Sequence, residues 1–283
     1  MKVFRKTGVS TLINILGMSV AFAAAMILMV QVKWDATYDK NFEGHEKVFR
    51  MENNWIDQGL FSTYFCRPMI ELVRDASPNI EAVGTMMGLS NQIYYREGNK
   101  ESTITIPAVL VDSTMFSVFP FEWVEGSAKE FTTKGTAVLN EAFAQMLFGS
   151  ESAVGKILQT GDGVSTRIVG VYKNNPRNFS MHYGIMENMG DGWLTSGDEW
   201  SFPQFLKLKD PSLAKGTETA ILDVIMSYFG DNIAEEERDD FRKGFRISNL
   251  HDAHYEKDVK ASEVAANRSI TITLAAIAIL LIL

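Results

Sequence analysis

Two histidines of this sequence come nearest to a metal-binding site. His251 and His254 lie three residues apart and are followed by the carboxylates Glu256 and Asp258. Imidazole and carboxylate groups are ligands that Zn²⁺ accepts, but two histidines without a further fixed ligand make a weak site. We interpret residues 251–254 as the end of a strand followed by a solvated loop, with a metal site as the alternative.

The other reactive side chains fit structural roles better than chemical ones. Cys66 is the only cysteine, so no intrachain disulfide can form, and we interpret it as a small buried side chain, with a reactive thiol as the alternative. A first set of acidic residues, Asp191, Asp198 and Glu199, lacks the spacing of a calcium loop. A second set fits the solvated face of a helix. It consists of Glu235, Glu236, Glu237, Asp239 and Asp240.

Signatures of known catalytic sites are absent from the sequence. It contains no GxxxxGK[ST], GxGxxG, GxSxG or HExxH motif, so no nucleotide, hydrolase or zinc-protease site is indicated. No nucleophile has a base at a recognisable spacing. We therefore predict that the chain is not an enzyme and has no catalytic residues, no cofactor-binding residues, no metal ligands and no cofactor.

The net charge of −8 is distributed unevenly along the chain. Lys2, Arg5 and Lys6 are the only charged residues before Lys33, and none follows Arg268. The segment between these last two residues, both included, holds 24 basic and 35 acidic side chains. An acidic domain without a basic stripe argues against a nucleic-acid partner.

The first of two apolar segments runs from Val9 to Val32 without a charged residue. A helix of this length, at about 1.5 Å per residue, crosses a hydrocarbon core of about 30 Å. A cleaved signal peptide ending near Ala23–Ala25 is the alternative, but the apolar run continues past those alanines. We expect residues 1–32 to form a cytoplasmic N-terminus and a first transmembrane helix.

The second apolar segment is Ser269–Leu283. It is shorter than the roughly 20 residues that a membrane span needs. We interpret residues 269–283 as the start of a second transmembrane helix in a truncated chain, with a buried core helix as the alternative. Because basic residues favour the cytoplasmic side, the amino end is expected inside and residues 33–268 outside the cytoplasm.

Periodicity and capping signals predict mixed secondary structure between the apolar segments. The predicted strands are Val48–Glu52, Ile80–Met87, Gln92–Arg96, Thr103–Val111, Ala137–Leu139, Val164–Tyr172, Phe205–Lys209 and Phe245–Leu250. Helices are predicted from Phe65 and after Asp112, Asn140 and Asp210. Segment 178–198 is predicted to be a mobile loop. Met146, Leu213 and Tyr228 are among the side chains expected to face the core.

The order of these elements predicts the fold class. A strand–helix–strand unit near each end of the domain is typical of a split βαβ, or ferredoxin-like, arrangement. The stretch at about residues 112–200 then forms an inserted second lobe. We predict an α+β fold, with a split βαβ lobe and an inserted α+β lobe, flanked by transmembrane helices.

Six motifs follow one another along the chain. They are GVSTLINILG (Gly8–Gly17), YDKNF followed by VFR (Tyr38–Phe42 and Val48–Arg50), VDSTMFSVFPFEWVEG (Val111–Gly126), LNEAFAQMLFGSESAVGK (Leu139–Lys156), IVGVYKNNP (Ile168–Pro176) and ISNLHDAH (Ile247–His254). In this order the chain resembles the permease subunits of MacB-like and FtsX-like ABC transporters over its whole length. It lacks the ATPase domain that MacB itself carries and most of the later membrane helices.

The resemblance implies a permease subunit of an ABC-type export or mechanotransmission complex in the bacterial inner membrane. Residues 33–268 would be a periplasmic core domain that couples ATP-driven helix motion to the handling of a substrate or partner. The implied partners are a separate cytoplasmic ATP-binding subunit, a second permease in a homo- or heterodimer, a periplasmic or outer-membrane protein and the lipid bilayer. The alternative is a membrane-anchored extracytoplasmic sensor or binding domain.

Overall fold

The computed structural model describes residues 2–55, 59–192, 194–260 and 266–282. Its α-helices are α1 (Lys2–Ala36), α2 (Met69–Arg74), α3 (Met115–Val118), α4 (Glu141–Phe148), α5 (Ala214–Phe229), α6 (Arg238–Lys243), α7 (Leu250–Ala253) and α8 (Arg268–Ile282). Its strands are β1 (Val48–Asn53), β2 (Phe61–Ser62), β3 (Tyr64–Cys66), β4 (Ile80–Arg96), β5 (Thr103–Val111), β6 (Trp123–Gly126), β7 (Thr136–Asn140), β8 (Ile157–Thr160), β9 (Ser165–Tyr172), β10 (Ile185–Asn188), β11 (Trp200–Leu208), β12 (Phe245–Asn249) and β13 (Val259–Lys260). The fold is therefore mixed α+β, with an apolar helix preceding a sheet core.

Strand β4 joins the two halves of the sheet. The main strand order is β13-β2-β1-β11-β4-β5-β10-β7-β9-β6, while β12 pairs with β1, β3 with β11, and β8 with β4 and β9. The first half of β4 pairs with β11, and its pairing with β5 shifts register between Gly88 and Ser90. Ser90 adopts a left-handed φ of 61°. A bulge of this kind bends a strand, so β4 passes from one lobe into the other.

The first lobe contains the antiparallel strands β12, β1, β11 and β4, with α2 and α5 packed against them. Helix α5 follows Asp210, whose carboxylate accepts a hydrogen bond from the Ser212 amide at 2.9 Å. The helix ends at Gly230, which has a φ of 52°. Ile221 and Ile225 lie one turn apart and are fully buried in one cluster with side chains of β1 and β11. Burial of each such side chain contributes about 1.5–3 kcal/mol.

The second lobe contains strands β5 to β10, together with α3 and α4. Strands β7 and β9 are parallel, and α4 lies in the connection between them. The Asn140 side chain accepts a hydrogen bond from the Ala142 amide at 2.9 Å and caps α4, as predicted. Gly149 ends the helix with a φ of 62°, a conformation that favours glycine.

Three predicted elements differ from the observed ones. Phe65 lies in β3, and α2 begins only at Met69, because the helical spacing of these two residues masks a strand of three residues. The predicted strands Ile80–Met87 and Gln92–Arg96 are one continuous strand. Segment 178–198 contains β10, which is held between β5 and β7 by hydrogen bonds to both.

Three side chains expected in the core are exposed. Met146 is 67% exposed, and Leu213 and Tyr228 are 55% and 44% exposed. Helix α4 buries Phe148 instead of Met146. Leu213 lies in the 3-10 turn that precedes α5, where the periodicity of the α-helix does not apply.

The apolar helices α1 and α8 pack along each other. Among the described residues one helix, Ser10–Ala36, is long and apolar enough to cross a membrane, and α8 is a shorter apolar helix. Ala25 and Ala278 are buried, whereas large apolar side chains such as Val20 and Leu280 are exposed. Small residues allow two membrane helices to approach closely. Helix α1 continues past residue 32 to Ala36, so it enters the domain.

Candidate functional site

The end of α1, the start of α8 and the folded domain meet at a group of polar and aromatic side chains, which we call the helix–domain junction. It consists of Asp35, Tyr38, Asp39, His254 and Thr271. All five are buried or nearly so. Because a buried charge without a partner is costly, the contacts of these groups decide how the domain is attached to the helices.

The Asp35 carboxylate connects the two apolar helices. Its Oδ2 accepts a hydrogen bond from Thr271 Oγ1 at 2.7 Å, and its Oδ1 accepts one from Gln31 Nε2 at 3.0 Å. Nε2 of His254 lies 3.7 Å from Oδ1. The dipole at the carboxyl end of α1 disfavours a negative charge, whereas the amino end of α8 favours one. Asp35 therefore depends on α8 and the domain for its stabilisation.

Tyr38 joins the end of α1 to α7. Its ring stacks on His254 with a centroid distance of 3.7 Å and an interplanar angle of 6°. Its carbonyl oxygen accepts a hydrogen bond from Nδ1 of His251 at 2.8 Å. Burial lowers the pKa of His251 below its usual value, and because a carbonyl can only accept a hydrogen bond, Nδ1 carries a proton in this contact. Both histidines thus hold the helix end from the first lobe.

Asp39, in the turn after α1, connects the same helix end to the second lobe. It has a left-handed φ of 56°, a region that aspartate tolerates better than most residues. Its carboxylate accepts hydrogen bonds from the amide and the hydroxyl of Ser180 at 2.7 and 2.6 Å. Asn178 donates from Nδ2 to Thr37 Oγ1 at 2.8 Å, and its carbonyl accepts from the Asp39 amide at 2.9 Å. The connection between β9 and β10 is therefore fixed to the turn after α1.

The first residue of α8 makes a more exposed contact with the domain. Arg268 Nη2 lies 2.5 Å from Oδ1 of Asp252, and its guanidinium lies over the Tyr255 ring at 4.7 Å from the centroid. Both partners in the ion pair are more than half exposed. Exposed pairs contribute about 0–1 kcal/mol, so this contact orients α8 more than it stabilises it.

The sequence interpretation of His251 and His254 as a solvated loop is wrong. His251 lies in α7 and His254 directly follows it, with a side chain only 11% exposed. In the part of the chain that the structure describes, no three His, Cys, Asp or Glu side chains are grouped so that they could hold a metal ion. The loop was predicted because α7 is only four residues long and too short for a periodic pattern.

Cys66 is buried in the first lobe. Burial raises the pKa of its thiol, which disfavours the reactive thiolate. The acidic run Glu235–Glu237 is exposed, as its interpretation as a solvated surface predicted.

The junction residues Asp35 and Thr271 were not recognised as a pair from the sequence. The available signal was a carboxylate at the end of one apolar segment and a hydroxyl within the other. Their separation of 236 positions gives no indication of contact without the fold. The arrangement links α1 to α8 and to both lobes through buried hydrogen bonds.

Comparison with protein-family models gives one match. Residues 11–221 match the MacB-like periplasmic core domain, which is more than half of the chain. No curated protein matches the sequence.

Solved structures with the same fold include domains of transporter proteins. A domain described as part of a permease from Porphyromonas gingivalis has a TM-score of 0.62 at 14% identity, covering 83% of this chain and 99% of that one. The periplasmic region of MacB from Actinobacillus actinomycetemcomitans has a TM-score of 0.52 at 16% identity, covering 76% and 94%. The extracellular domain of the noncanonic ABC-type transporter YknZ from Gram-positive bacteria has a TM-score of 0.50 at 14% identity, covering 71% and 99%. At these identities the likeness concerns the fold alone.

Proposed function

This chain belongs to the family of the MacB-like periplasmic core domain, found in ABC transporter permeases, and from that premise we propose that it is a permease subunit of an ABC-type export or mechanotransmission complex. Its domain passes movement of the membrane helices to a substrate or partner outside the cytoplasm. The family is a component of transporter permeases, and we propose that a separate subunit hydrolyses ATP for this chain.

The helix–domain junction is the observation that carries the proposal. Asp35 contacts α8 through Thr271 and faces His254 of the first lobe. Asp39 contacts Ser180 of the second lobe. A displacement of one helix relative to the other therefore changes the support of both lobes at once. Packed interfaces of this kind convert small helix shifts into rigid-body rotations.

We further interpret the domain as a split βαβ lobe with an inserted second lobe. The strand order β12-β1-β11-β4, with α2 and α5 in the two connections, supports the ferredoxin-like arrangement. The proposed divisions are residues 1–32 for the N-terminus and first span, 33–268 for the periplasmic domain with an insertion at about 112–200, and 269–283 for the start of the second span.

The proposed partners follow from the proposed role. A cytoplasmic ATP-binding subunit supplies the work, a second permease in a homo- or heterodimer completes the membrane part, and a periplasmic or outer-membrane protein receives the movement. The proposed location is the bacterial inner membrane. The exposed apolar side chains of α1 fit contact with lipid or with further membrane helices.

Co-purification tests this proposal. The natural full-length protein, tagged and extracted in mild detergent, is expected to retain a subunit with a P-loop motif and to hydrolyse ATP as a complex. The substitution Asp35→Asn is expected to preserve ATP hydrolysis but impair export, because it weakens the junction and leaves the ATPase intact. Purification without any ATP-binding subunit would contradict the proposal and favour a membrane-anchored sensor.

A further inference from the structure

A second group of charged side chains, centred on one buried carboxylate, lies in the first lobe, apart from the helix–domain junction. Glu52 in β1 is fully buried. Its Oε1 accepts hydrogen bonds from Nε and Nη2 of Arg50 at 2.9 and 2.5 Å, and its Oε2 accepts one from Nε of Arg246 at 2.6 Å. Two arginines therefore donate hydrogen bonds to the two oxygens of this buried carboxylate.

A third acidic side chain adjoins this pair of arginines. Glu256 Oε2 is 3.4 Å from Arg246 Nη2 and 3.7 Å from Arg50 Nη2. This oxygen atom is buried and has no hydrogen-bond partner among the described residues. Arg246 also donates from Nη1 and Nη2 to the two oxygens of Asp258 at 2.9 Å each.

The Ser248 hydroxyl lies between the two glutamates. Its oxygen is 2.8 Å from Glu256 Oε1 and 3.3 Å from Glu52 Oε2. A hydroxyl has one hydrogen and can donate to one acceptor at a time. If both carboxylates are ionised, the hydroxyl donates to one of them, and the Ser248 oxygen then faces an oxygen of the other, so two hydrogen-bond acceptors lie against each other. A proton on Glu256 removes this conflict.

The charge balance of the cluster also favours a proton on Glu256. With Glu256 ionised, the carboxylates of Glu52, Glu256 and Asp258 face the two guanidinium groups of Arg50 and Arg246, which leaves one negative charge in excess. Burial, and next the negative charge of Glu52, raise the pKa of Glu256 to about 7. Arg246 lowers the pKa of Asp258, so Asp258 stays ionised.

The position of Glu256 gives the proton a structural consequence. Glu256 and Asp258 lie in the segment Glu256–Lys260, which leaves the first lobe on the way to α8. This segment is attached to the lobe by the parallel pairing of β13 with β2. The Asp258 carbonyl accepts a hydrogen bond from the Phe61 amide at 2.6 Å. The ring of Phe61 also lies against Arg246, at 3.9 Å from its guanidinium carbon.

We propose that Glu256, which faces Glu52 across the Ser248 hydroxyl, binds one titrating proton, and that binding of this proton fastens the segment Glu256–Lys260 to the first lobe. A raised pKa in the docked state means that docking is strongest below the usual pKa of a glutamate and weakens as the pH rises through the raised value. The attachment of the chain leading to α8 is therefore regulated by external pH. This inference does not depend on an ATP-binding partner.

Amide hydrogen exchange of the full chain in lipid nanodiscs tests the inference. After correction for the intrinsic pH dependence of exchange, protection of Val259, Lys260 and Phe61 in the wild type is expected to fall as the pH rises from about 4.5 to about 7 and to level off at higher pH. The limiting decrease is about tenfold per pH unit, because one proton is linked to docking. In Glu256→Gln the protection is expected to stay at its low-pH level, while Glu97→Gln, an exposed control, behaves like the wild type.

Two outcomes would overturn the inference. One is wild-type protection that does not change between pH 5 and pH 8, a range that roughly covers the fall from the usual glutamate pKa to the raised value. The other is a Glu256→Gln variant with the same pH dependence as the wild type. If Glu256→Gln fails to fold, infrared difference spectroscopy of the wild type is expected to show a protonated carboxyl band lost between these pH values, and its absence would equally overturn the inference.

Discussion

Asp35 shows how a single residue near a membrane helix can depend on distant parts of the chain. Its carboxylate lies at the unfavourable end of the α1 dipole. Thr271 from α8 and Gln31 from α1 provide its hydrogen bonds, and His254 of the first lobe lies 3.7 Å away. Removal of one partner leaves a buried acceptor partly unsatisfied, which costs about 1–3 kcal/mol.

The substitution Thr271→Val is therefore expected to destabilise the junction. It keeps the side-chain shape and removes the hydroxyl that donates to Asp35. We expect a loss of about 1–3 kcal/mol and a lower midpoint of thermal unfolding in detergent. Thr273→Val in the same helix is the matched control, because the Thr273 hydroxyl is exposed and bonds only within its own helix turn. Equal effects of the two substitutions would contradict the role of Asp35.

Local signals predicted individual residues well where the signal and the contact are close in sequence. Asn140 was predicted as a helix cap and contacts an amide two residues away. His254 was misjudged because its partners, Tyr38 and Asp35, belong to the other end of the chain. No local pattern reports such a contact.

At the scale of the elements, glycines explain part of the family motifs. Gly126 ends the motif VDSTMFSVFPFEWVEG and has a φ of 63°. A Cβ atom at this position would lie 2.4 Å from the Val169 carbonyl oxygen. Glycine is therefore needed for both backbone conformation and close approach of β6 to β9.

We expect Gly126→Ala to be more destabilising than Gly149→Ala. Both residues have a positive φ, so alanine costs about 1–3 kcal/mol in backbone strain at either position. Only Gly126 adds the contact with Val169, because the space around Gly149 is open. Denaturant unfolding of the two variants measures the difference. A Gly149→Ala variant as unstable as Gly126→Ala would contradict this expectation, because it would show that backbone strain alone determines the loss of stability at both positions.

Element prediction succeeded for long periodic segments and failed for short or bent ones. Strand β5 has the predicted bounds Thr103–Val111. Strands β3 and β10 have three and four residues, which is too short for alternation to be recognised. The bulge in β4 places Gly88 and Ser90 within one strand, where the sequence suggests a break.

At the scale of the whole molecule, the two ends of the chain are brought together at one place. The His251 ring donates a hydrogen bond to the Tyr38 carbonyl, although the two residues lie 213 positions apart. The apolar segments and their charge pattern predicted a domain bounded by helices. Only the fold reveals that both lobes contact the same helix end, since this depends on the bend in β4 and on the position of the connection between β9 and β10.

Cysteine labelling tests the orientation of the whole chain. Asn99→Cys, in the exposed turn between β4 and β5, is expected to react with a membrane-impermeant maleimide in intact spheroplasts. Thr7→Cys, before the first span, is expected to react only after permeabilisation, because the positive-inside rule predicts a cytoplasmic location for the basic amino end. Cys66 is buried and gives little background. The opposite labelling pattern would contradict a domain outside the cytoplasm.

The distance between a label on α1 and a label on the second lobe tests the role of the helix–domain junction most directly. Spin labels at Val20→Cys and Val164→Cys occupy exposed positions, and their separation can be measured by pulsed electron paramagnetic resonance in nanodiscs. We predict a single narrow distance distribution that broadens in Asp35→Asn and in Thr271→Val but stays narrow in Thr273→Val. A broad wild-type distribution, or a narrow one in all four proteins, would contradict the conclusion that this junction fixes the domain to its helices.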